Sequence, residues 1–501
     1  MRRKRSVSRG RQGLSLGRSG RLLGAAAALS VVLTWISMTS FPAMPRQNDS
    51  VDYYSMANYL AGIGGSPSLF VPPGYPLFLN LARHFGKPHY GDLLMLFQHS
   101  LRLAPFLVFC FLARLQPGSL VPGFAALVWV IAPETYVFSH YVMSEAPAVG
   151  VTALGVLAML WLCLRPGFGP AAVAGLLAAV LTLIRPAGPV ILAAGILGLW
   201  LGAKRLTARL RTEIGACFVA AWLLGLTPWL VHNFLLEGSF SLVSSTGRHL
   251  FNRVVVEQGL VRKDDEGLAY LEKICANPKS TGPTYWWNYH LKLLHAGLSE
   301  VESDRIMKEA ALRGIVSHPV GYIAGTLAGA GYIAWWTPLP PGGSTFVRVV
   351  EYDLKLPAMT DRGRIMRMCN IVPTRDAKML LDDLSPEFTD NWRSRFMSVW
   401  IVAWFSLGFI LHALIIALIL LGLSVMLLFP GWKLNLDGDI SKVWARPLGA
   451  FVLFWLLGHA ATEIPVPRYG LPVQPFVILA LVLGGKALWG LRLRLARRME
   501  R

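Results

Sequence analysis

The sequence predicts an all-α, polytopic membrane protein, and three observations predict it. Of 501 residues, 54% are hydrophobic and 15% charged, with a mean hydropathy of +0.48, whereas a soluble chain carries about a quarter charged residues. Apolar windows near the length that crosses about 30 Å of hydrocarbon recur along the chain. The formal charge of +20 gathers beside those windows: eight Arg/Lys and no acid in residues 1–21, four more in 204–211, six against one Glu in 486–501. Basic clusters at the ends of apolar spans face the cytoplasm. No basic module interleaved with aromatic residues accompanies them, so the charge does not indicate nucleic acid.

Taken in order, residues 1–20 form a basic cytoplasmic arm. The apolar run from Leu22 to Phe41 is too long for a signal-peptide core and lacks a small-residue cleavage site, so it reads as an uncleaved anchor. Spans follow at about 21–41, 93–113, 119–138, 143–163, 170–184, 187–202, 213–233, 398–429, 445–463 and 469–490. This divides the chain into an N-terminal membrane core (21–233) with a first extracytoplasmic loop at 42–92, a loop region at 234–397, C-terminal spans (398–490) and a basic cytoplasmic tail (491–501). The two stretches 236–315 and 339–397 hold 18 of the 28 acids, nearly balanced by Arg/Lys, as large translocated loops do.

Residues 318–338 are apolar enough to make an eleventh span, but their Gly, Trp and Pro content suits the interface. Ten spans leave both basic termini inside, so 318–338 is read as a membrane-surface helix. Before it, Ser299-Glu300-Val301-Glu302 reads as a capping box. Val301, Ile306, Ala310 and Ile315 then recur near helical spacing, which predicts an amphipathic helix over 299–315 lying on the membrane domain. Cys110, Cys163 and Cys217 fall in spans as packing residues; Cys275 and Cys369 fall in the loops, where a bridge between them stays open. No Cys/His spacing suggests a metal.

The chemistry-bearing residues gather at the outer ends of spans. Asp49 and Asp52 follow the first span and share a helix face with Tyr53 and Met56, at i, i+3, i+4 and i+7. A carboxylate at that boundary reaches a substrate whose tail stays in lipid; alternatively Asp49 is only an N-cap, with Asp52 in the first turn. Pro72-Pro73-Gly74-Tyr75-Pro76 reads as a rigid turn. Glu145 and Arg185 are ionisable groups at span ends, each facing a cavity or partner, or sitting in an interfacial or structural ion pair. His232 is either neutral and structural or in contact with an anionic head group. Gly247-Arg248-His249 reads as a solvated loop charge, with phosphate contact as the alternative. Arg468-Tyr469 opens the last span on the outer side, where Arg is out of place by the positive-inside rule and is suited to phosphate oxygens.

In their order, these pieces resemble the GT-C superfamily of membrane glycosyltransferases, with the protein O-mannosyltransferases and the lipid A aminoarabinose transferases nearest in pattern. The residues that carry the resemblance are Asp49, Tyr53 and Ala57, the Pro-Pro-Gly-Tyr-Pro run, Ser144-Glu145, Arg185-Pro186, Pro228-Trp229 with Asn233, and Arg468-Tyr469-Gly470-Leu471-Pro472. Many relatives have Asp-Glu in the first loop; Asp49-Ser50 departs from that and leaves Asp52 as a substitute carboxylate. The resemblance implies a sugar donor on a polyprenyl phosphate, taken at the outer face of the plasma (inner) membrane, and inversion by direct displacement. It casts Asp49 as base, with Asp52 assisting. Arg468, Tyr469, Arg185, His232 and Glu145 then line the donor and its phosphate. Arginine neutralises a monophosphate leaving group, so no cofactor or divalent metal is required by this logic. The expected partners are the lipid-linked sugar, membrane lipids, and an acceptor that is a glycan, a lipid or a protein. The competing classes are a lipid or solute transporter or flippase, and a non-catalytic scaffold.

Overall fold

The computed structural model describes residues 18–65, 71–86, 89–116, 119–243, 245–260, 273, 289, 292–294, 296–334, 374–384, 386, 391–428, 440–462 and 467–499. These are almost entirely helical, as a chain in lipid must be when each backbone polar group needs an internal partner. Cys275 and Cys369 lie outside the described residues.

Helix α1 (Arg18–Met38) leads into a first loop built from α2 (Gln47–Leu60) and α3 (Gly74–Gly86). Then come α4 (Tyr90–Arg102) and α5 (Pro105–Leu115), α6 (Val121–Ile131), the short α7 (Glu134–Phe138), α8 (Glu145–Leu164), α9 (Phe168–Ile184), α10 (Gly188–Gly202) and α11 (Ala208–Glu237). The loop region holds α12 (Thr246–Phe251), a π-helical turn at Asn252–Glu257, α13 (Glu300–Ser317), α14 (Pro319–Ala334) and α15 (Arg375–Leu384). The C-terminal part is α16 (Trp392–Ile410), α17 (His412–Leu428), α18 (Ile440–Thr462), a 3₁₀ turn at Pro467–Gly470, and α19 (Gln474–Met499).

The expected spans fall largely on helix, although 119–138 is divided between α6 and α7 and the helix of 469–490 begins only at Gln474. Five stretches are long and apolar enough to cross a membrane: Arg18–Met38, Tyr90–Leu115, Glu145–Leu164, Ala208–Leu236 and Gln474–Leu493. The apolar helices α6, α9 and α10 are shorter, at 11, 17 and 15 residues. The protein is thus an integral, multi-pass membrane protein. The expected span 398–429 is divided into α16 and α17, which meet at 72°, the geometry of a broken span or of a re-entrant pair. Ser406, Gly408 and His412 stand at the break, but the mean hydropathy of the run stays high and hides it.

α1 packs on α6, α8 on α9 and α10, α9 on α11, α18 on α10, and α19 on α17. The buried aromatics Trp129, Trp444, Trp455, Phe109 and Phe218 fill the core between them. Arg102 sits midway along the Tyr90–Leu115 span, fully buried, with one nitrogen donating to Ser30 Oγ and Thr34 Oγ1, both at 2.8 Å. Its guanidinium lies 3.7 Å from the centre of the Tyr136 ring, which solvates a cation that lipid cannot.

In the loop region the capping box forms as expected: Ser299 Oγ accepts from Glu302 N–H, and the Glu302 carboxylate accepts from Ser299 N–H. The buried face of α13 is Ser303, Met307, Ala310, Ala311 and Gly314, and it packs on α12 and the π-helical turn. Of the expected apolar set, Ala310 is buried, and Ile306 and Ile315 are partly so. A new helix, α14, begins at Pro319. It exposes Val320, Ile323 and Leu327 and buries Ala330 and Ile333 against α18 and the 3₁₀ turn.

Candidate active site

The segment after α1 runs beside the segment before α8, and this pairing seats the first loop. Met44 N–H donates to His140 C=O at 2.8 Å, and Val142 N–H to Met44 C=O at 2.9 Å. Ser50 Oγ then donates to Val142 C=O at 2.8 Å, tying the first turn of α2 to the start of α8. On its far flank α2 is held by α15: Tyr54 O–H donates to Asp383 at 2.6 Å, and Arg83 pairs with the same carboxylate at 3.4 Å. The Arg83 guanidinium also lies 4.7 Å from the Tyr54 ring.

Held this way, α2 presents Asp49, Asp52 and Tyr53, all half-buried, while Met56 is buried against Val71 and Trp229. The helix sets Asp49 between its two neighbours on that face, and each neighbour meets an arginine-centred network.

The first network is on the Tyr53 side. Tyr53 O–H donates to Ser144 Oγ at 3.0 Å, and its ring meets Tyr75 edge-on at 4.9 Å. Next to it, Glu145 and Arg185 form a buried ion pair at 3.2 Å. The Arg185 guanidinium lies 4.7 Å from the centre of the Tyr469 ring, and His459 lies beside that ring. Sequence left the partners of Glu145 and Arg185 open; the fold makes them each other's partner and adds Tyr469. Gly74 explains how the first loop comes so close, because a Cβ there would lie 2.7 Å from Leu183 C=O, two residues before Arg185. The Pro-Pro-Gly-Tyr-Pro run is therefore more than a turn: it places Tyr75 and admits α3 to the end of α9.

The second network is on the Asp52 side, and the sequence reading of it is corrected. Arg248 is not a solvated loop charge but is 1% exposed. It stands 3.7 Å from Glu300 and 3.7 Å from Asp304, both on α13. Asp304 also accepts the N–H groups of Gly247 (3.0 Å) and Arg248 (2.9 Å), and Gly247 has no Cβ to collide with the Asp304 backbone. Burial, then the charges of Asp49 and Glu300, push the Asp52 carboxyl up to about 7; Arg248 opposes them. A carboxyl with that affinity changes charge near neutrality.

His232 stacks on Trp229 at 4.8 Å and faces Tyr59, near the C-terminal end of α2 and about three turns from Asp49. Its Nε2 has no hydrogen-bond partner among the described residues. Tyr469 is in place, its carbonyl accepting from Trp455 Nε1 at 2.9 Å, but the side chain of Arg468 lies outside the described residues. Among the described residues no group of three or more His, Cys, Asp or Glu is placed to hold a metal ion. The arrangement offers two carboxylates for proton transfer on one face of α2, with the buried Glu145–Arg185 pair beside Tyr53 on the same helix.

No family model matches the chain, and neither does any curated protein. Among solved structures, the chain is similar to ArnT from Cupriavidus metallidurans bound to undecaprenyl phosphate, at 16% identity and a TM-score of 0.36, over 88% of this chain and 77% of that one. It is similar to the S. cerevisiae protein O-mannosyltransferase complex bound to the sugar donor, at 16% identity and a TM-score of 0.34, over 49% of this chain and 37% of that one. It is also similar to the Archaeoglobus fulgidus oligosaccharyltransferase in complex with Zn and sulfate, at 14% identity and a TM-score of 0.35, over 91% of this chain and 53% of that one.

Proposed function

We propose that this protein is an inverting glycosyltransferase that moves a sugar from a polyprenyl-phosphate donor to an acceptor hydroxyl at the outer face of the plasma (inner) membrane. The observation that supports it most is the position of Asp49, on a helix that packs beside the membrane core and between the Arg185 and Arg248 networks. In the reaction, the acceptor oxygen attacks the anomeric carbon and passes its proton to Asp49. The bond from that carbon to the phosphate oxygen breaks, and the electron pair leaves with the polyprenyl phosphate. The attack comes opposite the leaving group, so the configuration inverts. Arg468 supplies a planar fork to the departing phosphate, and Arg185 and Tyr469 shape the wall behind it.

A radiolabelled polyprenyl-phosphate sugar tests this directly. Purified protein transfers label to a membrane fraction, and Arg468→Lys slows transfer although the charge is kept. Arg468→Ala is worse by about 1.5–3 kcal/mol, the scale of a hydrogen bond to a charged group. A lysine variant with wild-type kinetics would leave Arg468 as an interfacial anchor.

Two observations favour the transporter reading instead. Arg102 lies mid-span, and α16 and α17 form a bent pair, both of which are features of transport proteins. Labelled lipid that changes leaflet without losing its sugar would decide for transport.

A further inference from the structure

Arg253 is a buried cation to which the reaction above gives no part. It stands in the π-helical turn Asn252–Glu257, a rare backbone form that recurs at functional sites, and it is 2% exposed. Each nitrogen of its guanidinium has a protein partner. Nε donates to Ala460 C=O at 2.8 Å, Nη2 donates to Gly325 C=O at 2.6 Å, and Nη1 pairs with Glu257 at 2.7 Å. Ala460 lies in the last turn of α18, where a helix carbonyl has no partner of its own and a cation is favoured. Tyr322 of α14 caps the next carbonyl, its O–H donating to Ala461 C=O at 2.8 Å. Arg253 therefore joins the middle of α14 to the C-terminal end of α18.

Both helices go on to hold the 3₁₀ turn Pro467–Gly470. From α18, Trp455 Nε1 donates to Tyr469 C=O at 2.9 Å, and His459 stacks on Trp455 at 4.9 Å and lies 5.6 Å from the Tyr469 ring. From α14, Ile333 C=O lies against Gly470, where only a hydrogen fits. The contacts make a closed circuit, from Arg253 along α14 to the turn and back along α18. We propose that Arg253 is a positioning residue that acts through this circuit, setting the Tyr469 ring against the Arg185 guanidinium 4.7 Å away. This rests on the reading of Arg185 and Tyr469 as the wall behind the departing phosphate. Arg253 is not itself a ligand for that phosphate, because it is buried and its nitrogens are engaged with Ala460, Gly325 and Glu257. Its effect passes through the geometry of the turn, so it falls on the chemical step rather than on donor binding.

Two measurements on the purified full-length protein test this. The first needs no activity. Ala330, which α14 buries against α18, is changed by Ala330→Cys in a background without native cysteines, and its reaction with a maleimide is slow. Arg253→Gln speeds that labelling by about 10-fold or more, and Arg305→Gln, at an exposed arginine of α13, leaves it unchanged. The second is the kinetics of sugar transfer. Arg253→Gln lowers kcat by about 10- to 100-fold while KM for the donor stays within about two-fold, because a small misplacement caused far from the chemistry is enough. Arg253→Lys keeps the charge but reaches one carbonyl at a time; its loss is smaller, and it serves both measurements if Arg253→Gln does not fold. In a Tyr469→Leu background Arg253→Gln costs little further, because the two residues act as one unit. A merely structural arginine would instead multiply the two losses. Unchanged labelling of Ala330→Cys in the Arg253→Gln variant, or losses that multiply, overturns the role of Arg253 even when the wild type transfers sugar. No transfer by the wild type overturns the enzyme reading and this role with it, and the labelling then still reports whether Arg253 joins the two helices.

Discussion

Asp49 and Asp52 differ in surroundings more than in chemistry, and substitution separates their roles. The N-cap of α2 is Arg46, and Asp49 lies in the first turn. Asp49→Asn therefore keeps the shape, gives up only a charge near the helix N-terminus, worth about 0.3–1 kcal/mol, and yields folded protein in near-normal amounts. It cannot accept the acceptor's proton, and transfer falls by roughly 10²-fold or more; Asp52→Asn costs less. Full activity in Asp49→Asn with loss in Asp52→Asn would move the base to Asp52. Asp52 also leaves a mark on stability. Its ordinary value is 3.8 and in the fold it is about 7. Between these the folded state binds the extra proton, so this contribution to stability falls as pH rises from about 4 to about 7 and is flat beyond. Thermal melts of wild type and Asp52→Asn across that range should differ by this slope, steeper in the wild type. Asp49, Asp52, Glu145 and Arg185 were legible in the sequence because charge at the end of an apolar span is costly and stands out. Arg248 was not, because an arginine in a polar stretch looks the same solvated or buried. Its burial depends on Glu300 and Asp304, more than fifty residues later, and hydropathy does not report that contact.

At the scale of elements, local rules predicted what is local. The capping box at Ser299 is written in four consecutive residues, and it forms. Ser299→Ala should lower stability by about 1 kcal/mol, measured by thermal unfolding, because a helix N–H loses its acceptor. What packing decides was hidden. In the run 398–429 only Ser406, Gly408 and His412 mark the break between α16 and α17, and an averaged hydropathy passes over them; nothing in Pro72–Pro76 says that Gly74 meets the end of α9. That contact is testable. Gly74→Ala puts a Cβ 2.7 Å from a backbone oxygen that cannot rotate aside, so α3 must shift. The expected cost is about 1–3 kcal/mol, with a larger loss of transfer activity than of folded protein, since Tyr75 and Tyr53 move with it.

Over the whole molecule, the apolar windows coincide with helices because twenty apolar residues in a row have few other uses. Which side each end faces is proposed from the basic clusters, and labelling checks it. In a background without native cysteines, single cysteines at Ser8 and Arg497 should resist an impermeant thiol reagent in intact cells, and ones at Lys263 and Arg364 should react. A tail labelled from outside would add a crossing, with α14 the first candidate. The hold of Asp383 on Tyr54 has a further consequence for the order in which the protein comes into being. The two residues are 329 positions apart, so at 5–20 residues per second the ribosome reaches the second about 15–65 seconds after the first. Tyr469, the ring beneath Arg185, arrives later still. During that interval the nascent chain carries its carboxylates in an unseated first loop. Fragments released early by truncation or proteolysis therefore lack a working centre, and activity begins only with nearly complete synthesis.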